Sequence, residues 1–198
     1  MKRWISFLTF LLLLVTFALP AAAWNNPFTD VPAGDYYYKY VQYVNENSIF
    51  NGTSATTFEP DTPMTRAMFV TILGRTAGIE VELSASSRFS DVPDGQWYTP
   101  YVGWSDEHGI VKGYSDTVFA PDDMVTEEQA LVIVRRFCDV MGIVLDWNTA
   151  SLTYIGNLSD WASDDVMTMT GAGYVHGHRG DGVLYPDSPA TRAFAAEL

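Results

Sequence analysis

The sequence predicts a mainly helical fold that consists of three helix-loop-helix repeats. One phrase recurs three times along the chain, and in each copy a threonine opens a segment whose apolar residues follow helical spacing. A single unit of this size cannot bury its apolar stripe alone. We therefore expect the three copies to pack their second helices around a shared axis.

Residues 1–23 have the features of a secretory signal peptide. Lys2 and Arg3 form a charged start, an apolar run follows from Trp4 to Leu19, and a small-residue A-x-A site precedes Trp24. The alternative is a retained membrane anchor, which the short apolar run and the cleavage site disfavour. No later segment is apolar enough to span a bilayer. We therefore expect a secreted protein with no retained membrane span.

The charge of the chain excludes nucleic acid as a partner. Lys and Arg number 11 against 24 Asp and Glu, which gives a formal net charge of −13 at pH 7. Such a chain lacks the electrostatic footprint of a nucleic-acid-binding protein, and any bound anion must be held by a local cluster. The single cysteine, Cys138, lies beside Asp139 in a predicted helix. We expect it to be a buried apolar side chain and not a nucleophile.

The first two copies align without a gap. Copy one begins FTDVPAGDYYYKYV at Phe28, and copy two begins FSDVPDGQWYTPYV at Phe89. The shared positions are an early aspartate, a glycine, a loop phenylalanine and a helix-opening threonine: Asp30 and Asp91, Gly52 and Gly113, Phe58 and Phe119, Thr65 and Thr126.

The repeats set the expected domain boundaries. We assign the first repeat to residues 24–78, the second to 89–142 and the third to 154–198. Residues 79–88 and 143–153 are the predicted linkers.

The third copy departs from the other two. It retains Trp161, Gly177 and Thr191 at the repeated aromatic, glycine and threonine positions, but Ile155 stands where the others have aspartate. Its second helix would end at Leu198, and we expect a helix this short to bury little. This predicts that the chain is a fragment or a truncated gene product.

Each first helix is expected to begin near the repeated aromatic residue, and the repeated glycine follows it. A left-handed glycine at that place would end the helix. The aromatic residues are Tyr36, Trp97 and Trp161, and the glycines are Gly52, Gly113 and Gly177. The aromatic position suits either stacking on a sugar ring or plugging the core.

Each second helix is expected to begin at the repeated threonine. Thr126 and Gln129 form a capping box, whereas in the other two copies only the threonine caps. The apolar stripe has i, i+3, i+4 spacing and should lie in a central bundle. Its predicted members are Phe69, Ile72, Leu73, Ala130, Ile133, Val134 and Phe137.

An arginine follows the capping threonine in two copies, as Arg66 and Arg192. A cation at a helix N-terminus costs about 0.3–1 kcal/mol. The same helix end offers free backbone N–H groups, and a guanidinium beside them would suit a carboxylate ligand. The alternative is a solvated arginine, or one paired with an acid such as Asp61. Copy two has Glu127 instead, which repels anions, so either its site is weak or its acids pair with a neighbouring repeat.

These features together resemble the S-layer homology repeat. The features are FxDV, an aromatic before the first helix, GI-x-x-G, F-x-P and TRA, and they cover nearly all of the chain after residue 23. The resemblance implies a pseudo-threefold arrangement around a central three-helix bundle, with ligand grooves between neighbouring repeats. It also implies non-covalent anchoring of a secreted protein to a bacterial cell-wall polysaccharide, often one with pyruvate ketals, without catalysis or a cofactor.

The resemblance and the repeated positions together define the expected ligand-binding residues. We expect these to be Asp30, Gly52, Thr65, Arg66, Asp91, Trp97, Gly113, Trp161, Gly177 and Arg192.

Other functions have weaker support in the sequence. His176 and His178 lie two apart in a loop, but they lack a third clear metal ligand. No catalytic motif is present, so we expect neither a metal site nor an enzyme. Two alternatives remain: a structural S-layer or surface-lattice protein that self-associates, and the anchor fragment of a larger secreted hydrolase.

Overall fold

The computed structural model describes most of the chain after the predicted signal peptide. The described residues are 24–80, 86–145, 153–154, 157–173, 175, 177 and 180–198. The predicted signal peptide, Ile155 and the pair His176 and His178 lie outside them.

The described part is mainly helical, as predicted. Its helices are α1 (Tyr38–Glu46), α2 (Arg66–Thr76), α3 (Thr99–Glu107), α4 (Glu127–Met141), α5 (Ser163–Gly171) and α6 (Arg192–Glu197). Two short strands, β1 (Thr153–Tyr154) and β2 (Val183–Leu184), pair in parallel, and β1 lies across the expected boundary between the second linker and the third repeat. Within these residues, none of the helices has the length and apolar character that crossing a bilayer requires.

The first helices begin two residues later than the sequence analysis predicted. A tight turn precedes each of them: the Tyr38 N–H donates to Asp35 O, and the Thr99 N–H donates to Gln96 O. The N-cap residues of α1, α3 and α5 provide no side-chain cap. The repeated aromatic residue therefore lies in the turn and not in the helix.

The second helices begin where the threonines predicted. Thr65 Oγ1 accepts from the Met68 N–H at 3.2 Å, and Thr191 caps α6 in the same way. The capping box of α4 is present, because Thr126 Oγ1 accepts from the Gln129 N–H while Gln129 Oε1 accepts from the Thr126 N–H. These three caps confirm the predicted starts.

Helix packing closes the three repeats into a ring. α2 packs on α3, α4 packs on α5, and α6 packs on α1, so each second helix contacts the first helix of the next repeat. The predicted apolar stripe lies in a single buried core, which confirms its members: Phe69, Ile72, Leu73, Ala130, Ile133, Val134 and Phe137.

Three backbone hydrogen bonds join the repeats at the centre of this ring. The Met64 N–H donates to Ala190 O at 2.9 Å, the Ala190 N–H to Val125 O at 2.8 Å, and the Val125 N–H to Met64 O at 3.0 Å. All three residues are completely buried. Each repeat thus donates to one neighbour and accepts from the other.

The N–H groups at the helix starts are not free, so the anion site predicted from them is wrong in this respect. The Arg66 N–H donates to Asp123 O at 2.9 Å, and the Ala67 N–H donates to Pro121 O at 3.0 Å. Helix ends leave such groups unpaired, and here the neighbouring repeat's loop accepts from them. The equivalent bonds at α4 and α6 run from Glu127 to Ser188, Glu128 to Pro186, Arg192 to Thr62 and Ala193 to Pro60.

The left-handed residues that end the first helices lie earlier than predicted. They are Ser48 (φ 56°), Gly109 (φ 70°) and Gly173 (φ 77°). Gly52 and Gly113 have no positive φ, so their predicted conformation is wrong.

Close packing explains the glycine at these repeated positions. A Cβ at Gly113 would lie 2.5 Å from Ser115 O and 2.6 Å from Phe89 Cε1, and a Cβ at Gly52 would meet the equivalent atoms of the first repeat. Gly177 combines a tight contact with a left-handed φ of 92°.

The short helix α6 buries far more than its length suggested. All of Arg192–Glu197 is buried, and Phe194 is completely enclosed. The expectation that this helix would bury little is wrong, because α6 packs against α1 and closes the ring.

Replacement of Gly113 by alanine tests whether close packing explains this glycine. We expect Gly113→Ala to lower the free energy of unfolding by about 1–3 kcal/mol, because the added methyl group meets backbone oxygen. Gly34→Ala is the matched control, since a Cβ there has nothing within 4 Å, and its effect should stay within about 0.5 kcal/mol. Urea denaturation measures both, and equal stabilities would contradict the packing explanation.

Candidate functional site

A groove at the junction of the first two repeats brings together residues from all three. It encloses about 200 Å³. Arg66 from the start of α2 and Trp161 from the turn before α5 lie at this groove, together with one face of α4. The complete lining is Arg66, Lys112, Gly113, Tyr114, Gln129, Val132, Ile133, Arg136 and Trp161.

The lining combines positive charge with exposed aromatic surface. Arg66, Lys112 and Arg136 are cationic, and none of the lining residues is acidic. Trp161 is 57% exposed, and Tyr114 is similarly accessible. In a chain with a net charge of −13, this is a local concentration of positive charge.

Arg66 is buried and joins the first repeat to the second. Its Nε donates to Phe119 O at 2.8 Å, and its Nη2 donates to Lys112 O at 2.9 Å. The guanidinium carbon lies 4.7 Å from the ring centre of Tyr114 and 4.6 Å from that of Phe119. The side chain is only 4% exposed. It is therefore neither solvated nor paired with Asp61, the two alternatives considered from sequence.

Arg192 repeats this arrangement at the junction of the third and first repeats. Its Nε donates to Phe58 O at 2.6 Å and its Nη2 donates to Asn51 O at 2.8 Å, while its guanidinium lies over the rings of Phe50 and Phe58. Each arginine thus holds the loop of the next repeat.

Both arginine charges are desolvated without a carboxylate contact. Burial lowers the pKa of Arg66, and burial lowers the pKa of Arg192 to about 10. The salt bridges among the described residues join Arg88 to Asp106 and Arg135 to Asp139. Neither Arg66 nor Arg192 takes part in one. Carbonyl oxygens and aromatic rings are therefore the direct partners of both guanidinium groups.

Glu127 links the second repeat to the third as a hydrogen-bond acceptor, whereas the two arginines act as donors. Its carboxylate is completely buried, and Oε2 accepts from the Tyr185 N–H at 2.9 Å. Glu128 accepts from both the N–H and the hydroxyl of Ser159, at 3.0 and 2.8 Å. The alternative in which these acids pair with a neighbouring repeat is confirmed.

Asp30 and Asp91 close the loops that receive the arginines. Asp91 accepts from the Phe119 N–H at 2.9 Å and from the Ala120 N–H at 2.6 Å, and Asp30 accepts from the equivalent groups of the first repeat. Ala120 has a left-handed φ of 59°, which its Cβ disfavours. The aspartate therefore stabilises a strained loop. Phe119, whose N–H donates to Asp91, also accepts a hydrogen bond from Arg66 through its carbonyl oxygen.

The groove contains three of the predicted ligand residues: Arg66, Gly113 and Trp161. Others lie elsewhere: Thr65 caps α2, and Trp97 contacts Tyr98 edge-on with ring centres 5.1 Å apart. Gly52 and Arg192 belong to the junction between the third and first repeats, and Gly177 lies in the third-repeat loop that runs beside Val183.

Sequence reasoning missed the other two cations and Tyr114. Lys112 and Tyr114 flank the repeated glycine Gly113, and Arg136 lies three residues after the core residue Ile133 on α4. Because each lies close to a position that recurs in the repeats, the sequence could have identified all three as candidate groove residues.

Among the described residues, no group of three or more His, Cys, Asp or Glu side chains could hold a metal ion. Cys138 is buried, as predicted, and burial raises the pKa of its thiol, with a further contribution from Asp139.

Proteins similar to this chain have names that refer to catalysis, to anchoring or to the cell surface. The chain is 28% identical to an endoglucanase of Bacillus sp. (strain KSM-635) over an alignment of 208 positions, which covers 100% of this chain and 22% of that protein. It is 32% identical over 143 residues to a cell surface protein of Thermoanaerobacter kivui, covering 70% of this chain and 18% of the relative. A cellulosome-anchoring protein of Acetivibrio thermocellus is 27% identical over 133 residues, covering 64% of this chain and 28% of the relative. The chain thus spans less than a third of the length of these relatives.

The family comparison follows the three structural repeats. The model of the S-layer homology domain matches residues 27–68, 88–131 and 155–195, which together make up more than half of the chain. Each match begins before the first helix of a repeat and reaches its second helix. The chain therefore belongs to the S-layer homology domain family.

Proposed function

We propose that this chain is a non-catalytic anchoring module that binds an anionic secondary cell-wall polysaccharide, such as a pyruvylated one, in a groove between repeats. Membership in the S-layer homology domain family supports a role in cell-surface anchoring rather than catalysis. Relatives named as a cellulosome-anchoring protein and an S-layer protein support the same role. A bacterial cell wall or cell surface is then the site of action of the secreted protein.

One observation carries this proposal: the groove at the first junction has three cations and no acid in its lining. The overall charge of the protein repels anions, so affinity for one depends on such a local cluster. Arg66 is already desolvated there, and an anion near it would gain from the low local dielectric.

The groove suits a carboxylate-bearing sugar. A guanidinium offers two parallel N–H donors to a carboxylate. Arg66 already uses its Nε and Nη2 on loop carbonyls, so Arg136 is the groove arginine that we expect to provide such a pair. The exposed Lys112 ammonium contributes charge without fixed geometry. The exposed face of Trp161 is apolar and flat, and it suits packing against a sugar ring.

The repeat correspondence extends the proposal to a second, weaker site. At the junction of the third and first repeats, Arg192, Gly52 and Trp97 take the places of Arg66, Gly113 and Trp161, and Arg75 takes that of Arg136. Asn51 replaces Lys112, so this site has one positive charge fewer.

The junction of the second and third repeats is acidic, and we propose no anion site there. Tyr36 lies near it, and burial together with the nearby carboxylates raises its pKa. Those carboxylates belong to Glu197, Asp61, Glu127 and Asp181.

The names of the relatives support two alternative settings for the same anchoring module. The endoglucanase similarity favours an anchor within a larger secreted hydrolase, and the S-layer protein of Bacillus anthracis, 32% identical over 94 residues, favours a surface lattice that self-associates. Sedimentation without any wall material distinguishes the lattice, because only a lattice protein forms large assemblies alone.

Pull-down with purified wall sacculi is the primary test. The protein should bind intact sacculi, and binding should disappear after the secondary polymer has been removed chemically. Equal binding to stripped sacculi would overturn the proposed ligand.

Removal of a groove cation should weaken this binding. We expect Lys112→Ala or Arg136→Ala to lower affinity for the wall polymer about tenfold, since a charged hydrogen bond contributes about 1.5–3 kcal/mol. Lys39→Ala is the matched control, because Lys39 is also exposed but lies on α1 outside the groove. A binding isotherm in low salt measures the difference, and rising salt should reduce it. If all three variants lose affinity equally, general charge and not the groove accounts for binding.

Substitution of the buried arginine should affect both folding and binding. Arg66→Ala leaves two carbonyls without their donor, and we expect a loss of about 1–3 kcal/mol in unfolding free energy. The helix dipole alone would predict unchanged or higher stability, because it disfavours a cation at this end of the helix. Arg66→Ala should also lower affinity for the wall polymer. Arg66→Lys should recover part of that affinity, because lysine restores the positive charge but not the planar geometry of the guanidinium. Arg75→Ala, at an exposed position of α2, is the stability control. If the Arg66→Ala and Arg75→Ala variants are equally stable, the two hydrogen bonds of Arg66 do not stabilise the fold.

Replacement of Trp161 should distinguish a role in stacking on the ligand from a role in the stability of the fold. Trp161 is largely exposed, so Trp161→Ala should leave thermal stability nearly unchanged while affinity for the wall polymer falls about fivefold or more. Trp97→Ala, at the equivalent position of the weaker site, should cost less affinity. A greater loss for Trp97→Ala would reverse the proposed order of the two grooves.

A further inference from the structure

The dipeptide Asn-Gly occurs once in the chain, at Asn51 and Gly52. These residues lie in the loop that follows α1 in the first repeat. Asparagine is chemically labile, because the peptide nitrogen of the next residue can attack its carboxamide carbon. Glycine is the most permissive next residue, since it has no Cβ to obstruct that attack. Among the asparagines of this chain, Asn51 therefore has the neighbour that most favours deamidation.

The two groups that would react at this dipeptide are unrestrained. Asn51 is exposed, and neither its carboxamide nor the Gly52 N–H has a hydrogen-bond partner among the described residues. Asn47, a few residues earlier, differs because its Nδ2 donates to Tyr43 O at 2.8 Å. The Asn51 carboxamide can therefore rotate toward the peptide nitrogen of Gly52, whereas the carboxamide of Asn47 is held away from its own neighbour.

The carbonyl between Asn51 and Gly52 accepts a hydrogen bond from a buried cation. Arg192 Nη2 donates to Asn51 O at 2.8 Å, and Arg192 is only 8% exposed. Loss of the Gly52 N–H proton places negative charge on that nitrogen and, through amide resonance, on Asn51 O. A fixed guanidinium beside this oxygen stabilises the developing charge, as the donors of an oxyanion hole do. Arg192 thus raises the population of the nucleophilic form of the peptide nitrogen.

We propose that Asn51 is a site of spontaneous deamidation that Arg192 promotes. The deprotonated nitrogen of Gly52 attacks Cγ of Asn51, and the new C–N bond closes a cyclic imide. The Cγ–Nδ2 bond breaks, and Nδ2 takes up a proton from solvent and leaves as ammonia. Water then opens the imide to a carboxylate. Water is the only co-reactant, and no group is oxidised or reduced.

The position of Arg192 also selects the product. Its guanidinium polarises the former carbonyl of Asn51, so water attacks there and the imide opens to isoaspartate. The carboxylate that forms is built on the oxygen to which Arg192 Nη2 already donates. A charge-assisted pair thereby replaces a hydrogen bond to a neutral acceptor. Arg192 thus gains the carboxylate partner that it lacks in the salt bridges of the described residues.

The reaction changes the charge at the junction of the third and first repeats. Asn51 has there the place that Lys112 has at the first junction. The consequence for binding rests on the proposed function, in which this junction is the weaker of two anion sites. A carboxylate that neutralises Arg192 should abolish that site and leave the groove that contains Arg66 unaltered. The module would then lose one of its two attachments to the wall as the protein ages.

Peptide mapping by mass spectrometry, after incubation at mildly alkaline pH, tests the chemistry. The peptide that contains Asn51 should gain the mass difference between NH and O, with isoaspartate as the main product, while Asn47 stays unmodified. A synthetic peptide of residues 48–57, SIFNGTSATT, gives the reference rate. Asn51 in the folded protein should react at least as fast as in this peptide. Asn51→Gln should remove the signal, because the longer side chain requires a larger ring.

The internal repeat provides a matched pair of engineered sites that tests the role of the arginine. Lys112 O accepts from Arg66 Nη2 at 2.9 Å and Gly113 follows, so Lys112→Asn reproduces the arrangement in the second repeat. Ala33→Asn places the same dipeptide before Gly34 at an exposed position, where none of the described arginines donates to the carbonyl. The Lys112→Asn site should react several times faster than the Ala33→Asn site.

Three results would overturn the proposal: a slower reaction of Asn51 in the folded protein than in the peptide, equal modification of Asn47, and equal rates at the two engineered sites. Binding to wall sacculi is measured separately with Asn51→Asp, which carries the charge of the product from the start. Loss of the weaker of two binding phases would support the effect on attachment. Two unchanged phases, with deamidation observed, would contradict the second anion site and leave the chemistry at Asn51 intact.

Discussion

The three hydrogen bonds between Met64, Val125 and Ala190 are the constraint on which the other inter-repeat contacts depend. They are buried, so breaking any one would leave an unpaired polar group in the core. Closing this ring places the start of each second helix against the loop of the next repeat, where that loop accepts from the helix N–H groups. The same closure places the groove side chains of three repeats within reach of one another.

Two chemically opposite solutions hold the repeat junctions together. At two junctions, Arg66 and Arg192 donate to loop carbonyls, and an aspartate within the receiving repeat stabilises that loop. At the remaining junction the sequence has Ile155 in place of the aspartate, and Glu127 accepts from the loop N–H of Tyr185. The glutamate thus provides from the neighbouring repeat a carboxylate that the third repeat lacks. This exchange preserves the junction but makes it acidic.

Folding and the proposed binding share the same arginines. Two N–H groups of Arg66 donate to carbonyls in the loop of the second repeat, and the residue also lines the groove. A desolvated cation with only carbonyl and aromatic partners is costly to bury, and an anionic ligand would offset part of that cost. In the proposed function, ligand binding and the stability of this junction are therefore coupled, and a neutral substitution at Arg66 would alter both.

Periodicity and capping chemistry in the sequence determined the helical class, the three repeats, the starts of the second helices and the buried stripe. These are local properties, since Thr65 and Thr126 cap their own helices and Phe69 and Ile133 follow helical spacing. The roles of Arg66, Glu127 and Gly113 were decided by tertiary structure, because their partners lie in other repeats or across a loop. The dipole argument considered only the helix that carries Arg66, and so it missed the carbonyls of Phe119 and Lys112 and the loop that occupies the N–H groups. Arg66, Lys112 and Trp161 belong to three different repeats, and closure of the ring brings them to one groove.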